Sequence, residues 1–184
     1  RERGFPAIAI ADRNGLYGAP EYAYAARGAG VQPIIGALVG IARPEAEDAP
    51  RRPGFSGDQP QVDWLALYAQ SEAGYINLCR IVSAAHMDRP LDQPAHLTLD
   101  QLADHAEGLL ALTAAGEGAL ARLLADGQHG HAVALLARLE TIFPDRLYIE
   151  IARRGDAVEI AAESALIELA YARSLPLVAT NPAS

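Results

Sequence analysis

The sequence has no lysine: all 15 of its basic residues are arginine, set against 23 acidic ones for a net charge of -8. An acidic surface repels a phosphate backbone, which disfavours this stretch as a main DNA-gripping surface. Heavy alanine use beside the missing lysine points to a GC-rich genome more than to a physical adaptation. A single cysteine, Cys79, excludes an internal disulfide and suits a reducing cytoplasm. It stands in an apolar helical stretch without an ordered partner, so it reads as a small buried thiol rather than a nucleophile. No apolar run approaches the ~18 residues of a membrane span, so the chain reads as soluble, with no membrane partner. P-loop, G-x-S-x-G and dinucleotide signatures are all missing. The start, Arg1-Glu2-Arg3-Gly4-Phe5-Pro6, has neither a signal-peptide core nor an initiator Met, and reads as the interior of a longer protein.

What is present is enough for one core: 184 residues, 51% of them hydrophobic, predict a single domain. Short apolar runs at 7–11, 33–41, 64–69, 109–113, 147–151 and 177–180 read as buried strands bounded by Gly, Pro, Asp or Asn. Helical patterns lie between them, at 19–29, 71–85, 117–125, 131–143 and 157–173. Ser71 is the expected N-cap of the second element, with Tyr75, Leu78, Ile81 and Val82 as its apolar stripe. Thr98-Leu99-Asp100-Gln101 fits a capping box opening a short helix. Strands alternating with helices predict an α/β fold with a parallel sheet and right-handed crossovers, either most of a barrel or a doubly wound open sheet. Residues 43–61, rich in proline and mixed charge, break the rhythm and read as a surface loop or insertion.

In such folds chemistry gathers at the C-terminal ends of strands. Those ends are Asp12-Arg13-Asn14, Gly40-Ile41-Ala42, Gln70-Ser71, Thr113-Ala114-Ala115, Ala152-Arg153-Arg154 and Thr180-Asn181. Only Asp12 among them suits a metal, which is a poor set for hydrolysis. Arg13, Arg153 and Arg154 can fork onto an anion, but pairing with nearby acids is the reading favoured here. Of the five histidines, His86 ends a helix, where the dipole favours a cation. His96 and His105 flank a polar helix and read as solvated. His129-Gly130-His131 has the two-ligand spacing of many metal sites, yet it opens a helix with no strand beneath it.

Seven blocks in order carry a family resemblance. Gly4-Phe5-Pro6-Ala7-Ile8-Ala9-Ile10-Ala11-Asp12 resembles G-M-P-A-L-A-L-T-D, and Asn14-Gly15-Leu16-Tyr17-Gly18-Ala19 resembles N-L-F-G-A. Ala29-Gly30-Val31-Gln32-Pro33-Ile34-Ile35-Gly36 is similar to A-G-I-K-P-I-I-G. Gly74-Tyr75-Ile76-Asn77-Leu78 and the residues through Ser83 resemble G-Y-x-N-L-x-x-L-x-S. Glu107-Gly108-Leu109-Leu110-Ala111-Leu112-Thr113 resembles E-G-L-I-A-L-S, Tyr148-Ile149-Glu150-Ile151 with Arg154-Gly155 resembles Y-L-E-L and R-x-G, and Leu175 to Asn181 resembles L-P-L-V-A-T-N. The family is the PHP domain of C-family bacterial replicative DNA polymerases, the polymerase III alpha subunits.

The resemblance implies a PHP-type distorted (β/α)7 barrel, incomplete at both ends here, with residues 1–184 a partial PHP domain. Some members bind metals and act as phosphoesterases or proofreading nucleases. In others that site has decayed, and the domain supports the polymerase and helps bind an exonuclease subunit. The first-strand H-x-H of metal-binding members would precede residue 1. Asp12 is kept, but Arg13 stands in place of a His, Leu38 of a Glu, Ala115 of a Cys, and Pro182 and Ser184 of an Asp and a His. His86 lies in a region that supplies a ligand in some members. The expectation is a vestigial site without catalytic or metal-binding residues and without a cofactor of its own, in a parent polymerase that uses magnesium. Expected partners are the remainder of the polymerase chain, a proofreading exonuclease subunit, and DNA through the parent. The alternatives are an active PHP phosphoesterase and the same domain of the related error-prone polymerase.

Overall fold

The computed structural model describes residues 4–43 and 61–181; the loop expected at 43–61 therefore lies almost wholly outside the described residues. Six strands, β1 (Ala7–Arg13), β2 (Gln32–Ala42), β3 (Val62–Ala69), β4 (Leu109–Leu112), β5 (Leu147–Ile151) and β6 (Leu177–Ala179), form one open sheet in the order of the chain. The strand readings hold to within two residues at every end. Helices α1 (Ala19–Gly28), α2 (Glu72–Met87), α3 (Leu99–Ala103), α4 (Ala119–Ala125), α5 (His129–Ile142) and α6 (Ala157–Arg173) flank it. The architecture is an open, curled half-barrel flanked by helices.

The sheet is mixed rather than parallel. β1–β2, β4–β5 and β5–β6 are parallel, whereas β3 runs antiparallel to both β2 and β4. An antiparallel pair has no need of a crossover helix, yet α2 and α3 lie between β3 and β4, so the alternation of strands and helices did not fix the direction of the strands. The reversal has a consequence for the site. Gln70 and Ser71, at the C-terminal end of β3, stand at the rim opposite to the other strand ends, where the Gln70 N–H donates to the Gly108 carbonyl. Asp63 and Trp64, at the start of β3, take their place beside Gly40 and Ile41.

Register sorts the strand residues onto two faces. Ala37, Val39, Leu65, Leu67, Leu109, Ala111, Leu147 and Ile149 point toward the helices and are fully buried or nearly so. Arg13, Leu38, Trp64, Ala66, Tyr68, Leu112, Tyr148 and Glu150 share the inner, concave face, as their pairing and the alternation of a strand require. The helical caps form as read. Ser71 Oγ accepts from the Gly74 N–H at 3.1 Å, and Thr98 and Gln101 close a full capping box. On α2 the buried stripe is Gly74, Leu78, Ile81 and Ala85, with Val82 packed at its edge. Tyr75, expected inside, is 39% exposed because the stripe is rotated by one residue toward Gly74. Cys79 is half-buried on the same helix rather than fully enclosed. His96 and His105 are half-buried rather than solvated, and the His96 ring lies 2.8 Å from the Pro94 carbonyl.

Candidate functional site

The ends of β1, β2, β4 and β5 and the start of β3 converge on one rim, where a line of alternating charges crosses the mouth of the half-barrel. Arg13, opposite Leu38 in the β1–β2 register, ion-pairs with Glu117, and its guanidinium lies 4.5 Å over the Trp64 ring. Glu117, on the 3-10 turn Ala115–Glu117, also accepts from Arg154 at 3.3 Å. Arg154 in turn clasps Glu159, donating from Nη2 at 2.7 Å and from Nε and its backbone N–H at 2.9 Å each. Hydrogen bonding to Glu159 pushes the Arg154 pKa up, so the guanidinium stays charged. Arg153 pairs with Glu163 at 2.7 Å. The three rim arginines are thus paired with acids, as expected, and no anion is needed to explain them.

Two residues around the expected vestigial site, Asp12 and His86, are held by hydrogen bonds to the backbone. Asp12 points to the helix side of β1, where Oδ2 accepts from the Gly18 N–H at 2.9 Å and anchors the entry to α1. His86 lies 2.7 Å from the Asn14 carbonyl through Nε2; a carbonyl only accepts, so Nε2 carries the proton and is not available as a ligand atom. Asn14 has a positive φ of 47° and is the hub of that corner: its side chain donates to the Ala95 carbonyl and accepts from the Gly40 N–H, each at 2.9 Å. Ala115 follows Ala114, and both sit in the left-handed region, at φ 44° and 60°. Two successive alanines there store strain of about 1–2 kcal/mol each. Pro182 and Ser184 lie outside the described residues. His129 and His131 are exposed at the start of α5, with no strand beneath them, and the His131 ring lies 3.1 Å from Gln128 Oε1.

At the positions that the resemblance assigns to a metal, the described side chains do not make a donor set for a divalent ion: a guanidinium, an isobutyl group and a methyl group stand at three of them, and one oxygen of the Asp12 carboxylate accepts from a backbone N–H. Among the described residues, no three His, Cys, Asp or Glu side chains gather in a metal-holding group.

Besides Glu159, two buried acids escaped the sequence reading. Asp63, only 4% exposed, is gripped by Arg122 through Nε and Nη2 at 2.9–3.1 Å and by Arg43 at 2.9–3.0 Å. Glu150, 8% exposed, accepts from the Thr180 hydroxyl through Oε1, while Oε2 has no partner among the described residues. Burial pushes the Glu150 pKa up; Thr180, the Ala114 backbone N–H and Arg154 pull it back, and Glu117 adds to the rise. A glutamate inside the apolar run Leu147–Ile151 was the available signal for the second of these.

Comparison with known proteins agrees with this geometry. The family pattern described as "PHP domain" matches residues 1–154. The chain belongs to the PHP domain family. Along nearly its whole length it is similar to the DNA polymerase III subunit alpha of Caulobacter vibrioides, 40% identical over 98% of this chain and 15% of that protein. The corresponding subunits of Pseudomonas aeruginosa and Escherichia coli K12 are each 33% identical over 97% of the chain and 14% of their own length. The chain therefore spans about one-seventh of the curated relatives it matches.

Proposed function

We propose that this chain is a structural and interaction module of a replicative DNA polymerase, acting in DNA replication in the cytoplasm, with a PHP centre that has exchanged catalysis for scaffolding. The observation that carries the reading is the line Arg13–Glu117–Arg154–Glu159, which ties β1, the Ala115–Glu117 turn and the start of α6 together across the rim. Positive side chains bonded to carboxylates there supply cohesion, whereas hydrolysis of a phosphodiester needs an activated water or other nucleophile at the same place. Its natural partners on this reading are the remainder of a polymerase chain, whose own chemistry would use magnesium, and a separate proofreading exonuclease subunit.

The purified chain is expected to retain no stoichiometric manganese or zinc after dialysis and to leave a phosphodiester substrate unhydrolysed with either ion added. One equivalent of firmly held metal with turnover would establish the phosphoesterase alternative instead. The chain is also expected to bind duplex DNA more weakly than about 10 µM at ~150 mM salt. Without lysine, and with a net charge of -8, it lacks most of the counterion release that drives such binding. A fluorescence-anisotropy titration measures this, and submicromolar affinity at that salt would reverse the assignment of DNA contact to other parts of the polymerase.

A further inference from the structure

We propose that Asn14-Gly15 is a self-modification site: the fold holds the Asn14 amide out of reaction, and opening of its corner lets it convert to aspartate or isoaspartate, after which the corner cannot close as before. In an asparagine–glycine pair no side chain shields the glycine nitrogen, which is therefore well placed to attack the asparagine amide. The chain has three asparagines, and the other two are followed by Leu78 and Pro182. A bulky side chain hinders the attack after Asn77, and a proline nitrogen has no proton to lose. The chemistry is concentrated at one position.

The step needs no reagent besides water. The Gly15 N–H gives its proton to hydroxide, and the nitrogen forms a bond to Asn14 Cγ. The Cγ–Nδ2 bond then breaks, and ammonia leaves with a proton taken from solvent, closing a five-membered succinimide. Water opens that ring at either carbonyl, giving aspartate, or isoaspartate with the main chain running through the β-carboxyl. Either product carries one more negative charge and has no N–H on its side chain.

In the fold both ends of the Asn14 amide are held. Nδ2 donates to the Ala95 carbonyl and Oδ1 accepts from the Gly40 N–H, each at 2.9 Å. The backbone is held as well: the Asn14 N–H donates to the Leu38 carbonyl at 2.8 Å, and the Asn14 carbonyl accepts from His86 at 2.7 Å. Bringing Cγ onto the Gly15 nitrogen means giving up both amide bonds, and Gly15 itself is buried. The same bonds define what the reaction removes. A carboxylate at position 14 can still accept from Gly40, but beside the Ala95 carbonyl it sets two acceptors against each other with no donor between them. The segment that carries Ala95 is joined to β2 by the Leu97 N–H to the Gly40 carbonyl and the Ala42 N–H to the Leu97 carbonyl, at 2.9 and 2.8 Å. The loss therefore falls on the join between β2 and the approach to α3. Isoaspartate also lengthens the main chain at a residue already held at φ 47°.

The test incubates the purified chain at about pH 8, in buffer and in denaturing guanidinium chloride, and follows each asparagine by peptide mass spectrometry. A synthetic peptide of residues 10–18 under both conditions corrects for the effect of the denaturant on the reaction itself. In denaturant Asn14 should react first of the three asparagines, and Gly15→Ala should slow it several-fold. In buffer Asn14 should react at least several-fold more slowly than in denaturant, because the reaction waits on local opening. Asn14→Asp, which sets the product's carboxylate in place, should unfold at lower denaturant than wild type and exchange the Leu97 N–H several-fold faster. Equal corrected rates in buffer and denaturant overturn the proposal, as does earlier reaction at Asn77. So does an Asn14→Asp variant with the midpoint and Leu97 exchange of wild type. If Asn14→Asp does not fold, the two wild-type rates decide the question alone.

Discussion

Replacing Gly74 by alanine is expected to destabilise the protein by about 2–3 kcal/mol, although alanine is the better helix former. Gly74 lies in the first turn of α2, and there the helix presses directly on the loop entering β4. A Cβ at Gly74 would stand 1.9 Å from the Gly108 carbonyl oxygen. Neither side yields cheaply. Gly108 has a φ of +70° and its carbonyl already accepts from Gln70, while the Gly74 N–H is held by the Ser71 cap. Helix propensity returns only about 1 kcal/mol. Gly28 provides the contrast within the same molecule. It is also helical, with nothing within 4 Å of an added Cβ, so Gly28→Ala should stabilise by up to about 1 kcal/mol. Urea midpoints of the two variants should move in opposite directions. A midpoint for Gly74→Ala equal to or above wild type would mean that α2 and the β4 entry loop do not touch as described.

Asp63→Ala should cost more still, about 3–5 kcal/mol. Its carboxylate is nearly inaccessible, and two guanidiniums that are themselves mostly buried converge on it. Removing the acid takes the shared carboxylate from two largely buried guanidiniums, and Arg43 keeps the neutral Gln61 Oε1 at 2.6 Å. Arg122 keeps Asp126 at 3.8 Å, but that carboxylate is solvent-exposed and offers less. Asp63→Asn retains an acceptor oxygen and should lose less. The ion pair of Arg138 with Asp100 is the control: both partners are well exposed, so Asp100→Ala should change stability by less than about 1 kcal/mol. Equilibrium unfolding with an unchanged denaturant slope separates a true loss of stability from an altered unfolded state.

Strand positions were open to sequence reading because short apolar runs bounded by turn residues have few other uses. Direction was not. The run Trp64–Ala69 carries the same apolar pattern whichever way it is laid in the sheet, and only its connections and neighbours decide. That one reversal moved Gln70 and Ser71 away from the rim and brought Asp63 and Trp64 to it. Pairing at the rim was half legible. Three arginines at strand ends in an acidic chain call for acidic partners, but Glu117 lies 104 residues from Arg13 and nothing local joins them. The reading of Arg13, Leu38 and Ala115 as former metal positions came from the resemblance, since composition alone gives no reason to look for a metal there. Tyr75 shows the limit of periodicity: the residues of the stripe were nearly right, but a rotation of one position set the tyrosine outside and put a glycine, with its close approach to Gly108, inside.

The cation stacked on Trp64 gives the protein its own optical probe. The chain has one tryptophan, so its indole emission arises from one place, and the Arg13 guanidinium lies 4.5 Å from the centre of that ring. Whatever parts Arg13 from Glu117, whether salt, a partner surface or a substitution at Glu117, also changes the charge and solvent beside the indole. The state of the rim can therefore be followed by fluorescence in the unlabelled protein.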